Sequence, residues 1–128
     1  MNNKKIYIKK DVIFGLLDYC KSLHPVEGIL LLQGTHVKEK IEVDRLMIPP
    51  LPTHSEEFSS FDQYQLPLDS SILGTAHSHP NGVNEPSDTD LLNFFGLIGI
   101  IVTPPFVNEK DIKVYSSEGN TIKFTLYE

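Results

Sequence analysis

The sequence predicts a single α/β domain over residues 1–128, and three observations carry that prediction. A chain of 128 residues is the size of one domain with its own apolar core. Its 40% hydrophobic and 22% charged residues are those of a folded globular chain, not of a disordered or low-complexity one. Short apolar runs of strand length alternate with two segments of helical period, and no repeat or linker divides them.

Ile6-Tyr7-Ile8 alternates as a strand does. Asp11 then precedes Val12, Leu16, Tyr19, Cys20 and Leu23, spaced as one face of a helix over residues 11–23 that Pro25 stops. Glu27 opens a run over residues 27–33 that is otherwise apolar enough for a strand covered on both faces, and Gly34 closes it. Residues 37–48 mix charges with Val37, Ile41, Val43 and Leu46 and are expected to pair back as a hairpin across Gly34-Thr35-His36. Residues 49–71 combine prolines, serines and acids with Phe58, Phe61 and Tyr64, which fits a long surface loop. Residues 71–76 read as a strand running into His77-Ser78-His79-Pro80, where Pro80 and Asn81-Gly82 break regular structure. Ser87 is a good N-cap for a helix over residues 88–95, with Leu91, Leu92 and Phe95 as its apolar face and Gly96 as its end. Residues 97–103, 112–115 and 121–126 look like three more strands, the last two joined by a turn over 116–120.

Composition removes several classes of function. Lys+Arg 11 against Asp+Glu 17 give a formal charge of -6, with no basic run beyond Lys4-Lys5 and Lys9-Lys10, so nucleic acid is not the expected partner. Cys20 is the only cysteine, which excludes an intrachain disulfide, a tetrathiolate zinc site and a CxxC redox pair, and points to the cytoplasm. The N-terminus has no secretory apolar core. The longest apolar stretch, residues 94–102, contains two glycines and is far short of the roughly 20 residues of a membrane span, so no membrane partner is expected.

Of the histidines, His24, His36 and His54 stand alone in expected turns and loops, where a solvated imidazole is ordinary. His77 and His79 differ, because positions i and i+2 of an extended strand face one side and two imidazoles leave the strand end together. His-x-His alone is also what two solvated histidines look like. Ser87 and Asp90 extend it to His77-x-His79-x7-Ser87-x2-Asp90. That second half alone is equally a capping box in which Asp90 serves only the helix start. Jointly the halves are hard to obtain by accident: random draws at the chain's own residue frequencies give this pattern roughly once in a thousand shuffles. Two histidines and a carboxylate form a three-ligand set with a fourth tetrahedral position left for water, the arrangement of a catalytic rather than a structural zinc site. Ser87, at a helix start, can donate its hydroxyl to the oxygen of a tetrahedral intermediate, aided by the helix dipole. Glu85 and Asp88 fall outside the ligand register and read as solvated charges, and Cys20 falls on the packed face of the first helix.

With this constellation in view, the chain resembles the JAMM or MPN+ zinc metalloproteases of the short stand-alone prokaryotic type, over nearly its whole length. His77-Ser78-His79-Pro80, the seven-residue spacer, Ser87 and Asp90 match the family motif without a gap, and residues 25–34 match its upstream segment, glutamate included. The resemblance implies an MPN (cytidine-deaminase-like) fold, a curved mixed β-sheet flanked by helices. In it, zinc sits where the strand ending at His77 and His79 meets the helix after Ser87. It implies that His77, His79 and Asp90 bind one Zn2+, that Ser87 steadies the oxyanion, and that Glu27 carries a proton from the activated water to the leaving amine. Read by itself, Glu27 is either a charge held in a site or a carboxylate at an exposed strand end. The implied activity is hydrolysis of the peptide or isopeptide bond after the C-terminal tail of a ubiquitin-like modifier, with that protein or its conjugates as partner. Trimming of a ubiquitin-like sulfur carrier and a non-catalytic MPN scaffold are the alternatives. Residues 49–71 would shape the groove for the tail. The related zinc deaminases need His-x-Glu with Pro-Cys-x-x-Cys ligands, which one cysteine cannot supply.

Overall fold

Apolar residues two apart on short segments, and four apart on one long one, build a sheet with a helix laid across it. The computed structural model describes residues 4–49 and 71–128. In chain order these form β1 (Lys5–Lys9), α1 (Lys10–Leu23), β2 (Ile29–Val37), β3 (Lys40–Met47), β4 (Ile72–Ser78), α2 (Asp88–Leu92), β5 (Ile98–Val102), a 3-10 turn (Glu109–Asp111), β6 (Ile112–Tyr115), β7 (Thr121–Ile122) and β8 (Phe124–Tyr127). The loop expected over 49–71, with His54, Phe58, Phe61 and Tyr64, lies outside the described residues apart from its two ends.

The eight strands form one sheet in the order β7-β6-β5-β4-β2-β3-β1-β8. It is mixed: β1 runs parallel to β3 and β8, and β4 parallel to β5, while the other pairings are antiparallel. It is also strongly curved, for a reason the connectivity supplies. β7 and β8 are its opposite edges, yet only Lys123 separates them in the chain. Eight strands laid flat would put those edges more than about 30 Å apart, and one residue spans about 3.5 Å. The sheet therefore rolls until its edges approach.

α1 buries Val12, Ile13, Leu16, Leu17 and Cys20 against Ile6, Ile8, Leu30, Leu32, Ile41 and Val43 of the sheet. The middle strands are the most enclosed, with all five residues of β5 and the first four of β2 buried. β4 lies between them, antiparallel to β2 and parallel to β5. Gly74 makes this closeness possible: a Cβ there would stand 1.8 Å from the carbonyl oxygen of Ile98.

The structure corrects four expected boundaries. The β2–β3 hairpin turns at Lys38 and Glu39, with Lys38 at a φ of 55°, and not across Gly34-Thr35-His36. Gly34 lies within β2 at a register shift, where its missing Cβ lets the strand approach the Glu42 carbonyl, so pairing continues to Val37. α2 stops at Leu92 instead of reaching residue 95, because none of its residues is buried and Leu92 is 85% exposed. A single turn without a packed face has nothing to propagate it. The ring that anchors the following segment is Phe94, edge-on to Tyr115 with centroids 5.8 Å apart. The strand expected over residues 121–126 is two strands, β7 and β8, broken at Lys123 where the chain passes from one edge of the sheet to the other. No helix of the described residues is long and apolar enough to cross a membrane.

Gly74→Ala is expected to destabilise the fold by about 1–3 kcal/mol, since the new methyl must force β4 and β5 apart. Urea unfolding checks this as a lowered midpoint at unchanged slope.

Candidate active site

β4 delivers two histidines to one end of the sheet. His77 pairs with Ile29 of β2 on one side and Ile101 of β5 on the other. His79 lies just beyond the strand, still held by its amide donating to the Val102 carbonyl at 2.9 Å. Both are buried, and their rings tilt together with centroids 5.0 Å apart. Pro80 and Gly82 then turn the chain back, Gly82 at a φ of 84° with its amide donating to the His79 carbonyl. The return brings the Val83 carbonyl 2.7 Å from His79 Nδ1.

Ser87 caps α2 as expected. Its hydroxyl oxygen accepts from the Asp90 amide at 3.0 Å, and Asp90 Oδ2 accepts from the Ser87 amide at 2.8 Å. The capping-box reading of Ser-x-x-Asp and the ligand reading thus describe the same residues, for the cap aims the Asp90 carboxylate at the histidines. Asp90 Oδ1 lies 3.1 Å from His77 Nε2, Oδ2 lies 3.0 Å from His79 Nε2, and the two Nε2 atoms are 3.2 Å apart. One part of the sequence expectation changes: α2 has only five residues, too few for aligned peptide dipoles to matter. What Ser87 offers the site is its O–H, since the cap uses only the oxygen as acceptor.

One added proton can close this triangle: with His79 protonated on both nitrogens and His77 donating from Nε2, each Asp90 oxygen receives one N–H. The Val83 carbonyl can only accept, so His79 donates from Nδ1, and in the neutral ring Nε2 bears a lone pair. That lone pair faces a carboxylate oxygen and a second imidazole nitrogen. Protonating both rings would satisfy Asp90 but crowd two buried cations together. Burial pulls the His79 pKa down, but the contact with Asp90 and the Val83 carbonyl outweigh it and leave it raised. Burial likewise acts to raise the Asp90 pKa, but the contacts with His77 and His79 prevail and hold it far below the carboxylate range. A divalent cation suits the same donors, since it takes one lone pair from each neutral ring and one from the carboxylate. With bonds of about 2.0–2.1 Å, a tetrahedral zinc sets its ligand atoms about 3.3 Å apart; the two Nε2 atoms are 3.2 Å apart, and one ligand atom from each of the three residues lies within 4.8 Å of the others. The Val83 contact supplies the outer hydrogen bond that fixes the tautomer of a metal-binding histidine.

Glu27 stands outside β2, in the link between α1 and that strand, and is half-buried. The structure brings it to the same place as the others: Glu27, His79, Ser87 and Asp90 together line a cleft of about 370 Å³, with Asn81, Val83, Glu85 and Pro86 on its walls. Two of its lining residues, His79 and Asp90, meet His77, the ligand atoms of the three all within 4.8 Å of one another. Glu85, expected to be a bystander, borders the cleft. Neither it nor the Val83 carbonyl had a signal in the sequence, since a loop's path decides both. Cys20 is buried on α1, and burial pushes its thiol up to about 11, so it is no nucleophile.

Residues 10–117 match the family of prokaryotic homologs of the JAB domain. The chain belongs to that family. This JAB protein is 36% identical over 109 residues to a probable metalloprotease of Haloferax volcanii, a match covering 77% of this chain and 66%, just under two thirds, of that relative. Its fold is that of a JAB1/MPN domain protein from Archaeoglobus fulgidus, with a TM-score of 0.73 and 31% identity over 95% of this chain and 99% of that one. A second similar structure, described as JAMM, a metalloprotease-like zinc site in the proteasome and signalosome, has a TM-score of 0.71 and 28% identity over 98% of this chain and all 100% of that one. The JAB/MPN fold is the curved mixed sheet described above, and the donor set of this member is compatible with zinc.

Protein purified without chelator is expected to carry about one zinc per chain, and Asp90→Asn to lose most of it, by elemental analysis. Chelation should lower the thermal midpoint by several degrees, because an ion bound only to the native state stabilises it by mass action.

Proposed function

We propose that this JAB protein is a zinc-dependent peptidase or isopeptidase that hydrolyses the bond after the C-terminal tail of a ubiquitin-like protein modifier. The observation that carries the reading is the meeting of His77, His79 and Asp90 beside a cleft lined by His79, Asp90, the half-buried carboxylate of Glu27 and the hydroxyl of Ser87. His77 Nε2, His79 Nε2 and one Asp90 oxygen would hold the ion. Zinc, when bound, supplies Lewis acidity toward water and toward the scissile carbonyl.

The remaining work falls to the chain itself. Glu27 takes a proton from the attacking water and later gives it to the leaving amine, so one carboxylate serves as base and then acid. Ser87 donates its O–H to the carbonyl oxygen as negative charge develops there, while its own oxygen stays committed to the Asp90 amide. A cleft of about 370 Å³ bounded by Val83 and Pro86 suits a few small residues in extended form, as in a Gly-Gly tail. The Haloferax relative, named a probable metalloprotease, supports the reaction class.

The test is a panel of modifier–lysine fusions and sulfur-carrier fusions incubated with the zinc form. Cleavage confined to the sulfur-carrier fusions would reassign the substrate, and cleavage of none would overturn the proposal. Glu27→Gln is expected to keep its zinc and lose about 10²–10⁴-fold in kcat; unchanged turnover would move the proton carrier elsewhere.

A further inference from the structure

Between the two histidines lies a side chain with no assigned part. Ser78 is 1% exposed, and its backbone is already held by the sheet, paired with Val102 of β5 and donating its amide to the Gly28 carbonyl at 3.1 Å. What the side chain adds points elsewhere. Ser78 Oγ accepts from the Gly28 amide at 2.9 Å, across 50 residues of sequence, and its hydroxyl contacts the Cys20 thiol of α1. Gly28 is the residue after Glu27.

The link bearing Glu27 is therefore clamped from both ends. On its near side the Val26 amide donates to the Leu23 carbonyl at 2.7 Å. On its far side Gly28 is pressed against α1, where a Cβ would stand 3.0 Å from Leu23 Cδ1 and 3.2 Å from Tyr19 Cε2, while its amide and carbonyl both bond to Ser78. No regular strand pairing reaches Glu27 itself, since β2 begins at Ile29. Without the hydroxyl the Gly28 amide would be a buried donor with no acceptor, and the link would have to shift to find one.

We infer that Ser78 is a positioning residue: its hydroxyl locks the segment carrying Glu27 onto the strand carrying His77 and His79, and so fixes the Glu27 carboxylate relative to the metal ligands. The inference rests on Glu27 being the proton carrier proposed above. A displacement of about 1 Å in a catalytic group can lower turnover on the order of 10²-fold, whereas the ligands themselves are held by β4 and the α2 cap and stay in place.

Two measurements on the zinc-loaded full chain test this. In Ser78→Ala, amide exchange at Gly28 should quicken by about tenfold or more while Leu31 and Leu32 stay protected and zinc stays near one per chain. With the modifier–lysine fusion cleaved best in the panel, kcat should fall about 10–100-fold with KM little changed. In a Glu27→Gln background the same substitution should cost less than about twofold, because a positioning residue has no effect once its client is gone. Ser78→Cys, which keeps a weaker acceptor in place, should fall between and serves as the variant if Ser78→Ala does not fold. Unchanged exchange at Gly28, or an undiminished loss in the Glu27→Gln background, overturns the inference alone. An unimpaired Glu27→Gln enzyme overturns the proton-carrier reading, and this inference with it.

Discussion

Two imidazole nitrogens and the two oxygens of one carboxylate are held by the fold with neighbouring atoms 3.0–3.2 Å apart. Most of the molecule is arranged to keep them there. β4 is fixed on both sides by buried strands and cannot rotate its histidines outward without breaking the ladder with β2 or β5. Gly74 keeps β4 close to β5, and the Val83 carbonyl sets which nitrogen of His79 faces inward. The third corner comes from a different kind of structure, a capped helical turn that carries no buried residue. A sheet holds two ligands in tension with a third that a surface segment presents, and a shared cation is the partner this tension calls for.

The same economy governs the carboxylate. Asp90 accepts from the Ser87 amide and faces both histidines, so the group that starts the helix also completes the site. Capping energies are about 1 kcal/mol, small beside the electrostatic work of holding three ligands together. The cap's contribution is direction: it leaves Asp90 one orientation and leaves Ser87 a proton to donate. Glu27 reaches the cleft by a third route, the five-residue link 24–28 between α1 and β2 with no ladder of its own, which is why its fixing falls to a side chain on the ligand strand.

Legibility in the sequence followed the range of the interactions. His77 and His79 sharing a side is a property of the extended backbone, and Ser87 capping Asp90 is a contact across three residues, so both could be read from spacing. The helix face of Val12, Leu16 and Cys20 and the enclosed run Ile29 to Leu32 were equally local. What spacing could not show depends on a distant partner. Gly34 reads as a turn until Glu42 is known to lie against it. Glu27 reads as part of a strand until the link before β2 is seen, and α2 reads as a longer helix because Leu91, Leu92 and Phe95 do not reveal that no residue of α2 becomes buried. Ser78 looked like a spacer between two ligands, since its partner is 50 residues away.

The division between the two walls of the cleft has a further consequence. Glu27, His77 and His79 belong to the packed body, tied through β2, β4 and α1. Ser87 caps and Asp90 belongs to a five-residue helix with no buried residue, whose attachments include Leu91 against Gly119, Phe94 on Tyr115 and Asp90 on the histidines. An ion bound to all three residues would join the walls, so it would fix Ser87 relative to Glu27 as well as supply charge. Ser87 keeps its place without burial of α2, because the capping box ties it to Asp90 and Asp90 in turn faces the histidines.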